Sequence, residues 1–441
     1  MDFLAGLNPE QREAVAHTEG PLLILAGAGS GKTRVITHRI GHLIKEKGVP
    51  PYAIMAVTFT NKASKEMRER VAKLLQESDP NRLPKLSTFH SFCVRFLRRD
   101  GARLADIRQN FTPTFNIYDD DDQISVIKQI YKALGLDEKF MQYRAALSRI
   151  SQAKSSKETP ADFYKQTMDP RMSRLAVIYE RYEARLIEAN ALDFDDLLLE
   201  TVRLLSYDKD LRDRYNDWLR YIMIDEYQDT NASQFQLVHL LTREHRNLCV
   251  VGDDDQSIYG WRGAEIANLL NLEEHFPEVK IIKLEQNYRS TNTILNAANA
   301  VIAHNPDRIG KQLWTDSGDG DPIDLFAAYN EMDEARYLVE RARQWVRDGG
   351  SFTTRRVKAI QNGQPIFVMS ASFQRQETSF EHQAPMPDVP RPEDLPDEDQ
   401  LARLLADKIP ANMRSYWERE RPIEMRVVEL ERYATRAVTK P

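Results

Sequence analysis

Residues 21–33 read PLLILAGAGSGKT, and this stretch decides the fold predicted for the chain of 441 residues. The apolar run 21–25 predicts a strand buried on both faces, as the strands of a parallel sheet are. A glycine-rich turn follows, and residues 33–44, TRVITHRIGHLI, predict a helix. Strand, glycine-rich turn, Lys-Thr and helix in this order are the context of a phosphate-binding loop. The stretch therefore predicts an α/β fold built on a parallel sheet.

The same loop predicts where a nucleoside triphosphate binds. Gly27, Gly29 and Gly31 let the backbone approach phosphate groups, whose charge the N–H groups and the helix N-terminus stabilise. Lys32 can reach the β- and γ-phosphates, and the Thr33 hydroxyl can ligate Mg²⁺. The usual first glycine is replaced by alanine, at a position that needs only a small side chain. The predicted nucleotide-binding residues of this segment are Ala26, Gly27, Ala28, Gly29, Ser30, Gly31, Lys32, Thr33 and Arg34.

A pair of carboxylates, Asp225 and Glu226, follows a second apolar run at 218–224. In enzymes with a phosphate loop, an acidic residue at such a strand end holds Mg²⁺. Asp225, with Thr33, is therefore a predicted metal ligand, and Glu226 is placed to polarise the attacking water. Two adjacent acids alone are commonly solvated loop residues. Residues 225–230, DEYQDT, are far more specific in a chain that also holds a phosphate loop.

Further segments resemble the motifs of a known family. They read LNPEQ at 7–11, VTFTNKA at 57–63, STFHS at 87–91, LDFDDL at 192–197, VGDDDQSIYGWRGA at 251–264 and LEQNYRS at 284–290. In this order, with the phosphate loop and DEYQDT, they resemble superfamily 1 DNA helicases of the UvrD/Rep/PcrA type. The resemblance covers residues 1–350. It implies a RecA-like motor domain, ATP with Mg²⁺, and single-stranded or partly duplex DNA as the partner.

The resemblance also implies roles for single residues. Gln11 and Tyr288 would contact the adenine, and Gln256 would sense the γ-phosphate. Arg289 would stabilise charge on that phosphate. The implied catalytic set is Lys32, Asp225, Glu226, Gln256 and Arg289. The implied DNA contacts are Phe59, Thr60, Asn61, Lys62, Thr88, His90, Tyr259, Trp261 and Arg262.

Two alternatives stay open for the DNA contacts. Aromatic faces such as those of Tyr259 and Trp261 can stack on bases of any sequence, whereas isolated aromatic residues more often pack in a core. The motif context favours stacking for these two. For His90, a purely structural role is an equal alternative.

Composition limits the class of protein. The chain is 41% hydrophobic and 29% charged, with a net charge of −6, as expected of a globular protein. DNA binding needs only local positive charge, so this balance does not exclude it. Cys93 and Cys249 form no metal-binding pattern and favour a reducing cytoplasm. We find no signal-peptide pattern and no apolar run of about 18 residues, so we expect a cytoplasmic protein without a membrane partner. Protein partners are left open.

The pattern of elements predicts the domains. Residues 1–91 and 191–278 would form the RecA-like ATP-binding motor domain, interrupted by a helical insertion at 92–190. Residues 279–350 would begin a second RecA-like domain. That domain would open with the strand IIKLE and include a second strand, IDLFAA, at 323–328.

Residues 351–441 predict something different. TTRRVKAIQ, a QNGQ turn and PIFVMSASFQ predict a β-hairpin. The segment from 351 to about 430 resembles part of an acyl-CoA thioesterase II of the TesB type, which implies a partial hotdog-like β segment. No catalytic residue of that family carries over. The two resemblances meet at residues 347–350, so the sequence predicts a junction product, which is a gene fusion, a rearrangement or an assembly artefact.

Three functions compete at this point. The first is an ATP-dependent DNA helicase moving 3′-to-5′, as the family resemblance implies. The second is a truncated or chimeric ATP- and DNA-binding fragment with little unwinding, because the motif VI arginine of the family is missing from the quoted segments. The third, an acyl-CoA thioesterase, ranks last.

Overall fold

A computed structural model of the chain describes residues 3–166, 170–306, 308–323, 325–349, 354–361 and 364–372. The chain divides into two compact units, Met1–Ile323 and Asp324–Pro441. The strands are β1 (Leu22–Ala26), β2 (Ile54–Val57), β3 (Lys85–Ser87), β4 (Asn116–Ile117), β5 (Ala191–Leu192), β6 (Tyr221–Ile224), β7 (Leu248–Gly252), β8 (Lys280–Leu284), β9 (Thr354–Gln361) and β10 (Gln364–Ser372).

The helices lie between these strands. They are α1 (Pro9–Ala16), α2 (Lys32–Lys45), α3 (Asn61–Leu75), α4 (Phe89–Asp100), α5 (Asp120–Leu134), α6 (Tyr143–Ser155), α7 (Pro160–Gln166), α8 (Pro170–Glu188), α9 (Phe194–Tyr207), α10 (Lys209–Trp218), α11 (Ala232–Leu241), α12 (Ala267–Leu270), α13 (Leu272–His275), α14 (Asn292–Ile302) and α15 (Glu331–Arg347).

A six-stranded sheet forms the centre of the first unit. Its order is β3-β2-β6-β7-β1-β8, and every neighbouring pair is parallel. Alternate residues of β1 enter opposite cores: Leu23 and Leu25 face one apolar cluster, while Leu22 and Ile24 face the other. Both faces are covered, which explains why β1 is apolar at every position. The α/β fold with a parallel sheet is confirmed.

The sheet topology places the sequence motifs together. The carboxyl ends of parallel strands lie at one edge of the sheet, where ligands of α/β proteins bind. The phosphate loop follows β1, DEYQDT follows β6, and residues 253–259 follow β7. The segments after β2 and β3 end at the same edge.

The helical insertion has its own core. Side chains of α5, α6 and α8, including Ile130, Ile150 and Tyr182, form an apolar cluster separate from those of the sheet. The short parallel ladder of β4 and β5 marks where the chain leaves and returns. α4 places Phe92 and Phe96 in the core beneath the sheet, and the start of the insertion at residue 92 stays a prediction.

The strand predicted to open a second domain belongs to the first sheet. β8 pairs with β1 along its whole length, from Lys280 opposite Leu22 to Leu284 opposite Ala26. The first compact unit then continues to Ile323, and the start of a second domain at residue 279 stays a prediction.

The second unit contains α15 and an antiparallel ladder of β9 and β10. The ladder confirms the predicted hairpin. The predicted strand at 323–328 is not formed: residues 325–328 have no regular structure, and Leu325 is 96% exposed. The predicted hotdog-like segment finds no support, since residues 373–441 lie outside the described chain and the hairpin alone does not define that fold.

Candidate nucleotide site and nucleic-acid interface

The phosphate loop forms a closed turn between β1 and α2. Ser30 Oγ donates to the Gly27 carbonyl at 2.7 Å, which fixes the turn. Gly29 and Gly31 have φ of +75° and +91°, the left-handed region that disfavours other residues. A Cβ on Gly29 would also lie 2.7 Å from Asn287 Nδ2. The sequence therefore needs glycine here to aim the N-terminus of α2 and Lys32 at one point.

Lys32 and the carboxylate pair meet at that point. Lys32 Nζ lies 3.1 Å from Glu226 Oε2, across the gap between the phosphate loop and the end of β6. Glu226 has φ of +52°, in the left-handed region, at a cost of about 1 kcal/mol. Such strain concentrates at functional sites. Gln228 Nε2 also donates to Glu226 Oε2, at 2.9 Å, and so orients the carboxylate.

Asp225 lies in surroundings that oppose its charge. Burial, and then the nearby Glu226 carboxylate, raise the pKa of Asp225 to about 6, although Lys32 acts in the other direction. No ion pair with Asp225 forms among the residues that the structure describes. Its carboxylate and the Thr33 hydroxyl, in the first turn of α2, are the hard oxygen donors that Mg²⁺ prefers. The donor set fits the predicted magnesium site.

A second acidic group does not fit a metal. The carboxylate oxygens of Asp253, Asp254 and Asp255 lie within 4.8 Å of one another. Lys311 Nζ already lies between 2.5 and 2.6 Å from one oxygen of each. The ammonium group therefore takes the place that a cation would occupy.

The residues predicted to contact the adenine, Gln11 and Tyr288, lie against the backbone carbonyls of the phosphate loop. Gln11 Nε2 donates to the Ser30 carbonyl at 2.8 Å, and the Tyr288 N–H donates to the Gly29 carbonyl at 3.0 Å. Gln286 Oε1 accepts hydrogen bonds from both the Tyr288 hydroxyl and Asn8 Nδ2. These bonds join the segment before α1 to the segment after β8. Arg34 instead contacts the Gly6 carbonyl, at 3.0 Å.

Arg289 lies against the phosphate loop. A Cβ on Gly29 would be 2.8 Å from the Arg289 Cβ. Asn287 fixes this contact: its Nδ2 donates to the Ala28 carbonyl at 2.5 Å, and its Oδ1 accepts the Arg289 N–H at 2.8 Å. Asn287 was not among the predicted site residues, nor was Gln228. The structure buries both side chains. Their position within the motifs 225–230 and 284–290 is the signal that the sequence offers.

Four of the predicted DNA contacts line a cavity of about 300 Å³ at the same sheet edge: Phe59, Thr88, His90 and Tyr259. Phe59 and Tyr259 stack there with ring centroids 5.2 Å apart, and Trp261 is 75% exposed beside Tyr259. Burial lowers the pKa of His90, whose ring meets Phe194 edge-on at 5.9 Å. The lining consists of Thr58, Phe59, Thr88, Phe89, His90, Ser151, Ser155, Asp195, Leu198, Asp229, Asn231, Gln234 and Tyr259.

Other predicted DNA residues lie in the segments that follow β2 and β3 at the same sheet edge. Thr60 caps α3, its hydroxyl accepting the Ala63 N–H at 3.1 Å, and Asn61 and Lys62 are exposed in the first turn. Thr88 caps α4 and reaches Asn61 Oδ1 at 3.4 Å. The side chain of Arg262 lies outside the described part of the chain.

Two acids in the cavity were not foreseen. Burial, and then the negative charge of Asp193, raise the pKa of Asp195 to about 6. Burial, and then the negative charge of Glu226, raise the pKa of Asp229 to about 6. Asp195 belongs to the segment LDFDDL, but its sequence context gave no sign that it faces a cavity.

A parallel sheet with a phosphate loop and a carboxylate pair at its carboxyl edge defines a P-loop nucleotide-binding protein. Residues 7–277 match the UvrD/REP helicase N-terminal domain, and residues 282–380 match the UvrD-like helicase C-terminal domain. This chain belongs to the UvrD/REP helicase family.

Curated relatives agree with this assignment. The chain is 50% identical over 351 residues to the ATP-dependent DNA helicase PcrA of Staphylococcus epidermidis (strain ATCC 12228 / FDA PCI 1200), covering 80% of this chain and 47% of the relative. It is 49% identical over 350 residues to the PcrA of Staphylococcus aureus (strain NCTC 8325 / PS 47), covering 79% and 47%. The chain thus spans about half the length of the curated relatives it matches.

The C-terminal match corrects one expectation. It runs through residues 351–380, where a thioesterase resemblance had been placed, and the comparisons give that resemblance no support. Among the described helices, none is both long and apolar enough to cross a membrane.

Proposed function

We propose that this chain hydrolyses ATP and couples the hydrolysis to 3′-to-5′ movement along single-stranded DNA, as the motor part of a DNA helicase. The observation that carries the proposal is the shared sheet edge. The Lys32–Glu226 pair and the aromatic cavity follow strands of one sheet, and the turn after β7 carries both Gln256 and Tyr259.

The nucleotide side of the proposal assigns each residue a task. The N–H groups of the loop and Lys32 bind the β- and γ-phosphates. Thr33 and Asp225 would hold Mg²⁺, which when bound would neutralise part of the phosphate charge. Glu226 accepts the proton of the attacking water once Lys32 turns from it to a phosphate. Arg289 stabilises negative charge on the γ-phosphate, a role whose loss costs about 10³-fold or more in rate.

The DNA side rests on stacking and on hydrogen bonds without sequence preference. Phe59 and Tyr259 present faces to bases, and each stacked base contributes about 1–3 kcal/mol. Asn61, Lys62 and the Thr60 backbone offer donors beside the cavity for the DNA phosphates. A cytoplasmic location remains a prediction.

A second candidate is binding of ATP and DNA with little turnover or unwinding. The family resemblance implies a motif VI arginine opposite Arg289, and the segments that resemble the family's motifs do not include it. Charge stabilisation from one side alone would leave binding intact and slow the chemical step.

The deciding experiment measures ATP hydrolysis with and without a dT oligonucleotide, together with nucleotide binding. We expect stimulation by the oligonucleotide that Lys32→Ala abolishes, and that Lys45→Ala, an exposed lysine at the end of the same helix, leaves unchanged. Nucleotide binding without hydrolysis by the unmodified chain would favour the second candidate. Hydrolysis that survives Lys32→Ala would exclude both.

A further inference from the structure

Lys311 is a buried cation among three carboxylates. Its Nζ lies 2.6 Å from Asp253 Oδ1, 2.5 Å from Asp254 Oδ1 and 2.6 Å from Asp255 Oδ2. The side chains of Lys311 and Asp253 are each 2% exposed, and that of Asp254 is fully enclosed. Arg308 Nη2 adds a contact to Asp255 at 2.7 Å. The turn after β7 is therefore fixed by the segment that follows α14.

The charges of this cluster depend on one another. Burial would raise the pKa of Asp254, but hydrogen bonds from Lys311 and from the Gly310 and Ile309 N–H groups lower it below its ordinary value. Burial would lower the pKa of Lys311, and Asp253 and its neighbours raise it instead. Removing the lysine leaves Arg308, which contacts Asp255, as the one cation within ion-pair distance of these acids among the described residues. Uncompensated buried charge is strongly unfavourable.

Hydrogen bonds lead from the cluster to the nucleotide site. The Asp253 carboxylate accepts from Gln256 Nε2, and the Asp253 N–H donates to Gln228 Oε1 at 3.0 Å. Gln228 Nε2 in turn donates to Glu226, the partner of Lys32. Asp253, which pairs with Lys311, thus contacts both glutamines.

The same turn leads to the DNA cavity. Tyr259 follows Gln256 by three residues and stacks on Phe59 at 5.2 Å. The segment that carries Lys311 also reaches the phosphate loop, because a Cβ on Gly27 would lie 2.3 Å from Leu313 Cδ2. A displacement of the turn would thus alter both ligand sites.

We propose that Lys311 is a positioning residue that couples the nucleotide site to the DNA cavity by fixing the turn 253–259. The inference rests on the proposed function and extends it. With Lys311 in place, Asp253 holds Gln256 and Gln228 in one arrangement, so a change at the γ-phosphate is passed to Tyr259. Without it, the turn loses its anchor and the two sites bind independently.

The test measures the coupling directly. The affinity of a fluorescent dT oligonucleotide is determined by anisotropy, with and without a non-hydrolysable ATP analogue and Mg²⁺. In the unmodified chain we expect the analogue to change that affinity about 5-fold or more, the lower range of typical coupling. Lys311→Met should reduce the change to less than about 2-fold, while each ligand alone still binds.

The control is Lys283→Met. Lys283 contacts the same segment through the Gly310 carbonyl, and no contact with the aspartates is among its described interactions. We expect its coupling to equal that of the unmodified chain. Lys311→Arg keeps the positive charge and should retain part of the coupling. Partial retention by this variant would show that the effect of Lys311→Met comes from the lost charge and not from loss of the fold.

Each outcome decides. If Lys311→Met keeps the full coupling, the inference is overturned. If that variant does not fold, the double variant Lys311→Met with Asp254→Asn restores the net charge of the cluster. Full coupling in this folded double variant overturns the inference equally. An unmodified chain that binds both ligands without coupling overturns this inference alone. An unmodified chain that binds no nucleotide overturns the proposed function as well.

Discussion

At the scale of single residues, the surroundings of Asp225 reduce the stability of the folded, ligand-free chain. A buried carboxyl beside Glu226 has a pKa of about 6, compared with 3.8 ordinarily. At pH 7 it is ionised in surroundings that favour the neutral form. Asp225 forms no ion pair within the described part of the chain, which favours binding of a metal and reduces the stability of the ligand-free chain.

Asp225→Asn should therefore stabilise the ligand-free chain and abolish magnesium-dependent hydrolysis. Because the pKa is higher in the folded than in the unfolded state, the destabilisation is absent below about pH 4 and is complete above about pH 6. We expect a gain of about 1–3 kcal/mol at pH 8 and almost none at pH 4. Thermal unfolding at both pH values, without nucleotide or Mg²⁺, measures it.

Glu66→Gln is the matched control, because it makes the same chemical change on an exposed position of α3. Its unfolding midpoint should remain within the small range of ordinary surface substitutions. A lower midpoint for Asp225→Asn at pH 8 would contradict the assignment of Asp225 as an unpaired buried acid.

The sequence could predict residues that stand in recognisable motifs. It could not predict residues whose role depends on which partner the fold brings to them. Lys32 and Glu226 stand in motifs that spacing alone identifies. Asn287 and Lys311 act on the Ala28 carbonyl and on Asp253, hundreds or tens of residues away along the chain. Nothing in the sequence near Lys311 distinguishes it from an exposed lysine, because its burial is decided by the fold of β7 and α14.

At the scale of elements, the ends of β2 and β7 each deliver one aromatic ring to the cavity. Val57 and Gly252 end these two strands, and Phe59 and Tyr259 follow them. The stack forms because parallel strands end at one edge of the sheet. Its 5.2 Å separation is that of direct ring contact. In the proposed function, a base would therefore stack on the outer faces of the two rings or separate them.

Phe59→Ala should weaken binding of a dT oligonucleotide by about 5- to 150-fold, the equivalent of about 1–3 kcal/mol of stacking. Binding of an ATP analogue should be unaffected, since the ring does not touch the phosphate loop. Fluorescence anisotropy with the labelled oligonucleotide measures the change. Phe59→Tyr keeps an aromatic face and should retain most of the affinity. Equal affinity for all three proteins would show that DNA does not stack here.

The strands illustrate what an apolar pattern does not determine. Residues 281–285 and 323–328 both predict strands, and only the first forms one. β8 pairs with N–H and C=O groups on the edge of β1, whereas Leu325 is 96% exposed and Phe326 is 41% exposed. A short apolar run becomes a strand only where a neighbour supplies its hydrogen bonds, and the sequence does not say which neighbour is available.

At the scale of the whole molecule, a buried ionic network joins the helical insertion to the body of the first unit. Lys154 of α6 lies 2.7 Å from Glu183 of α8 and 2.8 and 2.7 Å from Asp193 and Asp196 at the start of α9. The Tyr182 hydroxyl also donates to Asp193, at 2.9 Å. The network lies where the chain returns through β5, so it fixes the insertion relative to the DNA cavity that Ser151 and Asp195 line.

Lys154→Met should therefore destabilise the first unit by about 3–5 kcal/mol, because it leaves buried carboxylates without their cation. Burial would lower the pKa of Lys154, but Asp196 and Asp193 raise it well above its ordinary value, so the loss should be similar across neutral pH. Chemical denaturation measures the change, with exposed Lys132→Met on α5 as the control. Adding Asp196→Asn to Lys154→Met should recover part of the loss, since burial and then Asp193 raise the pKa of Asp196. A loss below about 0.5 kcal/mol for Lys154→Met, as at ordinary surface positions, would show that the network does not hold the insertion in place.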